Sequence, residues 1–286
     1  MKVTYADLNT ELRQAFMRLI VKHTGLEIRE RDQAGLQEKI FARMKALKLD
    51  LPEKYYQFLS TNNHEEWLKL IKLLTNTDSY FFRDKEQFSL LRYYIFPELI
   101  KRHYSTKTIR ICSAGCSSGE EPYSIAIILK EIIPNFEEWN VLILGLDINQ
   151  AVLNKAKTGI YTSWSFRNID PYIQQRYFKL FNEHYHIHES IKQMVKFINI
   201  NLVQDVIQTQ NEMRDMDLIV CRNVFIYFEV EAIAKVLDKF YHMLKPSGYL
   251  LTGHTELYHQ NLSQFETQLF PESVVYQRRA EDSGVK

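Results

Sequence analysis

The strongest constraint on the fold is an almost unbroken apolar run at residues 141–146, which reads VLILGL. A strand this apolar suits a sheet whose two faces are both covered by helices. A β-rich segment at residues 108–112 and a helical segment at residues 123–133 precede it. A strand, a helix and a strand in this order predict a right-handed parallel unit, and therefore an α/β sheet.

Four further β-rich segments are predicted to extend this sheet: residues 195–200, 217–221, 249–252 and 274–276. An amphipathic helix that contains Ile233, Val236 and Phe240 is predicted between the second and third of them. The sequence Lys-Pro-Ser-Gly at residues 245–248 is expected to stop that helix.

The N-terminal quarter of the chain has a different pattern, because its apolar residues follow helical spacing throughout. Leu36, Ile40 and Met44 are an example. We therefore predict an all-α domain over residues 1–75, followed by the α/β domain over residues 76–286.

One predicted helix of the all-α domain, within residues 36–49, has a surplus of positive charge. Its only acidic residue is Glu38, and its cationic side chains are Lys39, Arg43, Lys45 and Lys48. Such a face is either solvated or a docking surface for an acidic protein, and the sequence leaves both interpretations open.

A second departure from simple alternation is an insertion over residues 161–195, in which two short β-rich segments predict a hairpin. His184, His186 and His188 alternate there, so a strand would place all three on one face. Zinc needs ligands that converge from more than one element, and we therefore favour an exposed polar face and expect no metal.

The overall composition is that of a globular protein: 286 residues, 45% hydrophobic, with 36 Lys+Arg against 35 Asp+Glu. A net charge of +1 argues against a protein that coats nucleic acid. The start resembles no signal peptide, no run of about 18 apolar residues occurs, and the three cysteines form no disulfide pattern. We expect a cytoplasmic protein without membrane insertion.

The loop at residues 113–122 follows the first predicted strand, where open α/β sheets bind their ligands. Small residues such as Gly115 let a ligand approach the backbone, but the sequence is neither a P-loop nor a dinucleotide fingerprint. Glu120 and Glu121 stand where a pyrophosphate would sit and would repel it. They suit the helix dipole and a cationic ligand.

Asp147 follows the apolar strand, at a position where a carboxylate can accept both hydroxyls of a ribose. Alone, it is more readily explained as the N-cap of the next helix. Together with the loop at residues 113–122, ribose binding becomes the better interpretation. A nucleoside that carries a positive charge and no phosphate is S-adenosylmethionine (SAM).

Four segments of the chain together resemble the CheR family of chemotaxis-receptor glutamate O-methyltransferases: residues 79–84, 112–124, 221–228 and 245–254. The resemblance implies a Rossmann-like class I methyltransferase sheet, an all-α N-terminal domain that contacts the receptor, and a small antiparallel β-subdomain in the insertion. The motifs occur in the family's order across nearly the whole chain.

Carried over residue by residue, the resemblance implies a set of cofactor-binding positions: Thr77, Ser79, Arg83, Gly115, Glu120, Glu121, Asp147, Asn201, Leu202, Arg222 and Asn223. It also implies that Arg83 orients the substrate carboxylate and that Tyr227 shapes the transfer site. Each has a plainer alternative, since an arginine can pair at a domain interface, Asn201 can be a turn residue and Tyr227 can fill the core.

The implied reaction is displacement of a sulfonium methyl group by a glutamate carboxylate, with S-adenosylhomocysteine as the second product. A carboxylate is already ionised at neutral pH and needs no general base. The expected partner is the cytoplasmic domain of a chemoreceptor, and nothing in the sequence demands more than a monomer. The alternatives are a non-catalytic SAM-binding signalling module and a methyltransferase with another substrate.

Overall fold

A computed structural model describes residues 8–207, 211–271 and 273–279. Its helices, in chain order, are α1 (Thr10–Thr24), α2 (Gln33–Leu47), α3 (Pro52–Ser60), α4 (His64–Leu74), α5 (Lys85–Leu90), α6 (Phe96–Arg102), α7 (Glu120–Ile132), α8 (Gln150–Thr158), α9 (Pro171–Tyr177), α10 (Glu189–Lys192) and α11 (Val230–Met243). A π-helical turn, Leu91–Ile95, joins α5 to α6. Among the described residues, no helix has both the length and the apolar character of a membrane span.

The strands, in chain order, are β1 (Thr108–Ala114), β2 (Asn140–Asp147), β3 (Ile160–Tyr161), β4 (Phe178–Phe181), β5 (His184–Ile187), β6 (Val195–Asn199), β7 (Met216–Cys221), β8 (Leu244–Thr252), β9 (Phe265–Leu269) and β10 (Val274–Arg278). Among the described residues, seven of them form one sheet in the order β6-β2-β1-β7-β8-β10-β9. Strands β6, β2, β1, β7 and β8 pair in parallel, and β10 runs antiparallel to both β8 and β9.

The order of the sheet reverses between β1 and β7. Strands β2 and β6 are added on one side of β1, and the chain then returns to place β7 on the other side of β1. Connections leave such a pair of strands in opposite directions, which opens a crevice beyond their carboxyl ends. The predicted α/β fold of the class I methyltransferase type is confirmed, with the small antiparallel sheet β3-β5-β4 and the N-terminal helices beside it.

Helices α1 to α4 surround a hydrophobic core of their own, and the predicted helical face of α2 is buried in it. Leu36, Ile40 and Met44 are at most 1% exposed, as their spacing indicated. Asn9 caps α1 by accepting from the Leu12 N–H, and Gly25 ends it in the left-handed region at φ 77°. The short connection after Gly25 contacts the loop after β7, where Leu26 forms an isolated bridge with Phe228.

The C-terminal half differs from the sequence prediction in two details. The helix ends at Met243, just before residues 245–248 as predicted, but β8 already begins at Leu244 and residues 245–248 form a bulge in it. Lys245 is fixed there by a 2.8 Å ion pair with Asp217. The strand pair β8 and β10 is confirmed, but β9 beyond it was not predicted.

The predicted hairpin is confirmed as β4 and β5, to which β3 adds a third strand. Only two of the three histidines share a strand face, since His188 lies beyond β5 and caps α10 by accepting from the Ser190 N–H. His184 contacts the carbonyl of Asn182. Within the described residues, no group of three potential ligands is arranged to hold a metal ion.

The predicted basic face of α2 is wrong at Arg43. Its guanidinium forms two 2.8 Å hydrogen bonds with the carboxylate of Glu66, which is 2% exposed and also accepts from the Tyr55 hydroxyl. The reason is the helical angle, because Arg43 lies beside the buried stripe of α2, whereas Lys45 lies on the exposed side. Lys48 is the exposed C-cap residue after the helix ends. Arg43 therefore holds the core together and offers no free charge to a partner.

We expect Arg43→Ala to destabilise the protein by about 3–5 kcal/mol, because it leaves the buried carboxylate of Glu66 without a counter-charge. Urea unfolding followed by circular dichroism measures this change. Lys45→Ala, on the exposed side of the same helix, is the matched control and should change stability by less than about 0.5 kcal/mol. Equal effects of the two substitutions would contradict the structural role of Arg43.

Candidate active site

The crevice between β1 and β7 holds two adjoining cavities at the carboxyl ends of the parallel strands. The larger has a volume of about 650 Å³ and extends under the connection between α1 and α2. The smaller, of about 60 Å³, lies beside α7 and the segment that precedes α5. They share five lining residues: Asn76, Gly115, Ser117, Asn223 and Tyr227. One elongated ligand can therefore occupy both.

The loop after β1 is shaped so that its backbone borders both cavities. Gly115 has φ 76°, and a side chain there would bring a Cβ within 2.3 Å of the Val224 side chain. The N–H groups of Gly115 and Cys116 donate to the carbonyl of Leu146, at distances of 2.7 and 2.9 Å. The loop is thus fixed against β2, and only glycine fits where it passes closest to Val224.

Glu121 and Asp78 are acidic residues that line the smaller cavity, and the carboxylate of Asp78 is paired with Arg167. The carboxylate of Glu121 accepts a 2.8 Å hydrogen bond from the Ser113 hydroxyl and lies 3.4 Å from the Arg222 guanidinium. Burial raises the pKa of Glu121, and the charge of Arg222 opposes that rise. A cation placed in this cavity would further stabilise the ionised form of Glu121.

Glu120, predicted as a neighbouring ligand, does not face either cavity. It is 1% exposed, and its carboxylate accepts hydrogen bonds from the hydroxyls of Ser118 and Ser165. Successive residues of a helix point about 100° apart, so Glu121 and Glu120 cannot share a target. Glu120 instead attaches the start of α7 to the insertion that carries the small sheet.

Asp147 lines the larger cavity at the end of β2. Its two carboxylate oxygens accept 2.8 Å hydrogen bonds from the N–H groups of Ser117 and Asn149. Burial raises the pKa of Asp147, while these backbone hydrogen bonds oppose the rise. The N-cap of α8 is Asn149, which accepts from Ala151, so the capping alternative for Asp147 is wrong. Each oxygen of Asp147 retains a lone pair for a hydroxyl.

Arg222 lies between the smaller cavity and the segment that precedes α5. Its side chain is 3% exposed and donates to the backbone carbonyl of Arg83, beside Asp84 at 3.9 Å. Its Nε atom is buried without a hydrogen-bond acceptor, and its Nη1 atom has the Glu121 carboxylate at 3.4 Å but no shorter hydrogen bond. Unused donors of a buried guanidinium favour an anionic or carbonyl group of a ligand at this point.

Arg83 itself lines the smaller cavity, and its Nη1 donates to the carbonyl of Asp78 at 3.2 Å. The neighbouring Phe82 and Asp84 have φ values of 55° and 66°, in the left-handed region that such residues seldom occupy. Asp84 also caps α5 by accepting from the Gln87 N–H. Backbone strain of this kind persists where surrounding contacts hold the residues in place. Here the contacts are the hydrogen bonds of Arg83 and Asp84, and Arg83 lines the cavity.

The remaining predicted residues are divided between the two cavities. Ser79 borders the smaller one, while Thr77, Asn201 and Leu202 border the larger. The side chain of Asn201 already has partners in the protein, since it accepts from Val203 and Gln204 in its own loop and donates to the carbonyl of His23 near the end of α1. Asn201 is therefore a turn residue that shapes the cavity wall.

No pattern in the sequence indicates that the connection between α1 and α2 contributes to the site. Leu26 and Ile28 line the larger cavity, as does Leu202. The Glu27 N–H donates to the carbonyl of Tyr227 at 2.8 Å, and Leu26 forms an isolated antiparallel bridge with Phe228. No local pattern signals this contact, because the partners lie about 200 residues apart in the chain.

Glu256 is a second residue that the sequence analysis missed. Its buried carboxylate accepts from the N–H groups of Gly253 at 2.6 Å, Asn223 at 3.1 Å and Ile226 at 3.3 Å. Burial raises the pKa of Glu256, against the effect of these bonds. Glu256 thereby fixes the loop after β7, which brings Asn223 and Tyr227 to the cavities. The one sequence feature that could have indicated this role is that Glu256 follows Gly253 by three residues.

The site as a whole combines acidic groups, Glu121 and Asp147, with the basic groups Arg83 and Arg222, in a crevice with apolar walls. The Cys116 thiol, which lines the smaller cavity, is not an activated nucleophile, because burial raises its pKa. The arrangement can bind a zwitterionic or cationic nucleoside and orient a second, anionic reactant.

Comparison with known proteins gives consistent results. A family profile described as "CheR methyltransferase, SAM binding domain" matches residues 77–273. A chemotaxis protein methyltransferase from Borreliella burgdorferi is 34% identical over 84% of this chain and 86% of its own length. Chemotaxis protein methyltransferase 2 from Vibrio cholerae is 31% identical over 88% of each chain, and a chemotaxis protein methyltransferase from Salmonella typhimurium is 31% identical over 86% of this chain and 84% of its own.

We expect Glu256→Gln to destabilise the protein by about 1–3 kcal/mol, because the amide replaces one acceptor oxygen by an NH₂ group that faces backbone N–H donors. Urea unfolding gives the free energy, and hydrogen exchange should become faster at the amides of Gly253 and Asn223. Glu266→Gln, on the exposed strand β9, is the matched control. Unchanged exchange at both amides would show that Glu256 does not hold this loop.

Proposed function

The chain belongs to the CheR methyltransferase family, and on that premise we propose that it transfers methyl groups from SAM to glutamate side chains on the cytoplasmic helices of a chemoreceptor. The observation that carries the proposal is the pair of adjoining cavities at the β1/β7 switch point, one with Asp147 and the other with Glu121, Arg83 and Arg222. Such a site suits a charged nucleoside in one part and an anionic acceptor beside it.

The residues around the cavities fit SAM. Asp147 is suited to the ribose hydroxyls and the apolar wall formed by Leu26, Ile28 and Leu202 to the adenine ring. Glu121 and the unused donors of Arg222 suit the ammonium and carboxylate groups of the methionine portion. When bound, SAM supplies a methyl group activated by a positively charged sulfur.

The substrate carboxylate attacks that methyl group in a single displacement. An oxygen–carbon bond forms, the carbon–sulfur bond breaks, and its electron pair stays on sulfur to give S-adenosylhomocysteine and a glutamyl methyl ester. No proton is transferred, so the site requires no general base. What the chain must provide is alignment of the two reactants and exclusion of water, since opposite charges neutralise in the transition state.

Arg83 and Tyr227 are the groups we assign to the substrate carboxylate. The guanidinium of Arg83 would hold the carboxylate in line with the methyl group, with the Asp78 carbonyl as its fixed partner. Tyr227, which is 36% exposed at the boundary of the two cavities, would border the transfer site. Neither group is placed to take a proton from the nucleophile.

The receptor would reach the site past a cationic rim that differs from the one predicted from sequence. Lys39 lines the larger cavity together with Arg31, which stands in the turn before α2. The Arg31 side chain is 74% exposed, with the carboxylate of the adjacent Asp32 at 3.8 Å. Lys45, on the exposed side of α2, and Lys48, at its C-cap, line neither of the two cavities. We propose that Arg31 and Lys39 steer an acidic receptor helix toward the crevice. The proposal also implies a monomeric protein that works in the cytoplasm.

We expect the purified protein, mixed with isotopically labelled SAM and chemoreceptor cytoplasmic fragments, to form base-labile methyl esters on glutamates. Arg83→Ala should lower kcat/KM for the receptor by about 100- to 1,000-fold, because an oriented charge is lost at the reacting carboxylate. Mass spectrometry of the fragments measures both results, with the exposed Arg18→Ala as the control. If the protein binds SAM but labels no fragment, it is a non-catalytic SAM-binding signalling module. If it labels only a different acceptor, it is a methyltransferase with another substrate.

We expect the double reversal Arg31→Glu with Lys39→Glu to raise KM for the receptor about tenfold at low salt and to weaken the salt dependence of the rate. The matched control is Lys45→Glu with Lys48→Glu, which changes the net charge by the same amount at two positions that line neither of the two cavities. Initial methylation rates across a salt series measure both variants. If the two pairs behaved alike, net charge rather than the cationic rim would control docking.

A further inference from the structure

Asp78 is the centre of a hydrogen-bond network in the segment that leads from the N-terminal helices into α5. Its carboxylate pairs with Arg167 at 3.1 Å and accepts from the Trp164 indole at 3.2 Å. The Arg167 guanidinium also stacks on the ring of Tyr80, 3.8 Å from its centroid. The carbonyl of Asp78 accepts from Arg83. The insertion that carries the small sheet thus holds this turn in place.

The N–H of Asp78 fixes the orientation of a neighbouring amide. It donates to the Asn76 side chain at 3.1 Å, and only the carbonyl oxygen Oδ1 of that amide can accept. The other end of the amide, Nδ2, is therefore an NH₂ group, and it lies 2.9 Å from the Tyr227 hydroxyl oxygen. Hydrogen-bonding chemistry alone assigns which atom is which.

The consequence concerns the hydroxyl of Tyr227. Because Nδ2 of Asn76 can only donate, the hydroxyl oxygen is the acceptor in this contact, and its own hydrogen must point elsewhere. The backbone of Tyr227 is held independently, since its carbonyl accepts from the Glu27 N–H at 2.8 Å. Tyr227 and Asn76 both line the two cavities, so the hydrogen is available to an acceptor inside them.

We propose that Asn76 is a positioning residue that fixes the Tyr227 hydroxyl as a hydrogen-bond donor to the substrate carboxylate, an inference that rests on the proposed function. The donor would bind one carboxylate oxygen while the other attacks the methyl group. A neutral hydroxyl orients the nucleophile without the strong stabilisation of a second cation, which would lower its reactivity. Donation from Asn76 to the same hydroxyl polarises it and strengthens its own hydrogen bond.

Asn76→Asp tests this directly, because it preserves shape and the bond from Asp78 but replaces the donor by an acceptor. The Tyr227 hydroxyl should then turn its hydrogen toward residue 76. We expect kcat for receptor methylation to fall about 10- to 100-fold, the range for a lost hydrogen bond to a charged group. Tyr227→Phe should show a similar loss.

A double-mutant cycle separates this role from a structural one. In the Tyr227→Phe background, Asn76→Asp should change kcat by less than about threefold, because the hydroxyl through which it acts is gone. An equal loss in both backgrounds would overturn the proposal, since residue 76 would then act by its charge or through the fold. Asn76→Ala, which removes the donor without adding an acceptor, should give a smaller loss than Asn76→Asp.

A second measurement does not require receptor methylation. In protein labelled with ¹³C at the Cζ of tyrosine, the resonance missing from Tyr227→Phe identifies Tyr227. Asn76→Asp should shift that resonance, because the hydroxyl changes from accepting to donating at residue 76. An unshifted resonance would refute the role of Asn76 even if the receptor is the substrate. A shifted resonance in a protein that methylates no receptor would refute the proposed function and leave the Asn76 contact established.

Discussion

The buried pairing of Glu121 with Arg222 is the interaction on which the site depends. The two side chains come from different halves of the sheet, one from the start of α7 and the other from the end of β7, and they meet only because the strand order reverses between β1 and β7. Neither charge is stable in the crevice without the other. Arg222 also holds the backbone of Arg83, so the same pair connects the sheet to the segment before α5.

Around this pair, the structure uses backbone groups to fix the polar side chains of the site. Asp147 and Glu256 each accept two or more N–H groups from loops that have no regular partner strand. These loops contain little regular secondary structure. The carboxylates therefore accept hydrogen bonds from backbone N–H groups that would otherwise be buried without partners. The rigidity of the site therefore comes from side chains that face away from the ligand as much as from those that line its cavities.

The N-terminal helices are part of the site as well as a unit with a core of their own. Leu26 and Ile28 complete the wall of the larger cavity, and Glu27 holds the loop of Tyr227. A partner that presses on α2 would act close to these contacts, because the connection from Gly25 leads directly into the turn before α2. The basic rim and the cofactor cavity are consequently neighbouring parts of one surface.

The α/β sheet, the glycine loop and the placement of two carboxylates, Asp147 and one at the start of α7, could be predicted from the sequence, because each follows from a local pattern of apolar spacing or turn chemistry within about forty residues. Local patterns do not distinguish Glu120 from Glu121, since both fit the helix N-terminus, and hydrogen bonds from Ser118 and Ser165 turn Glu120 away from the cavities. Nor do they show that Arg43 is held by Glu66 or that Asn76 reaches Tyr227. Those pairings join residues far apart in the chain, so they are visible only in the folded protein.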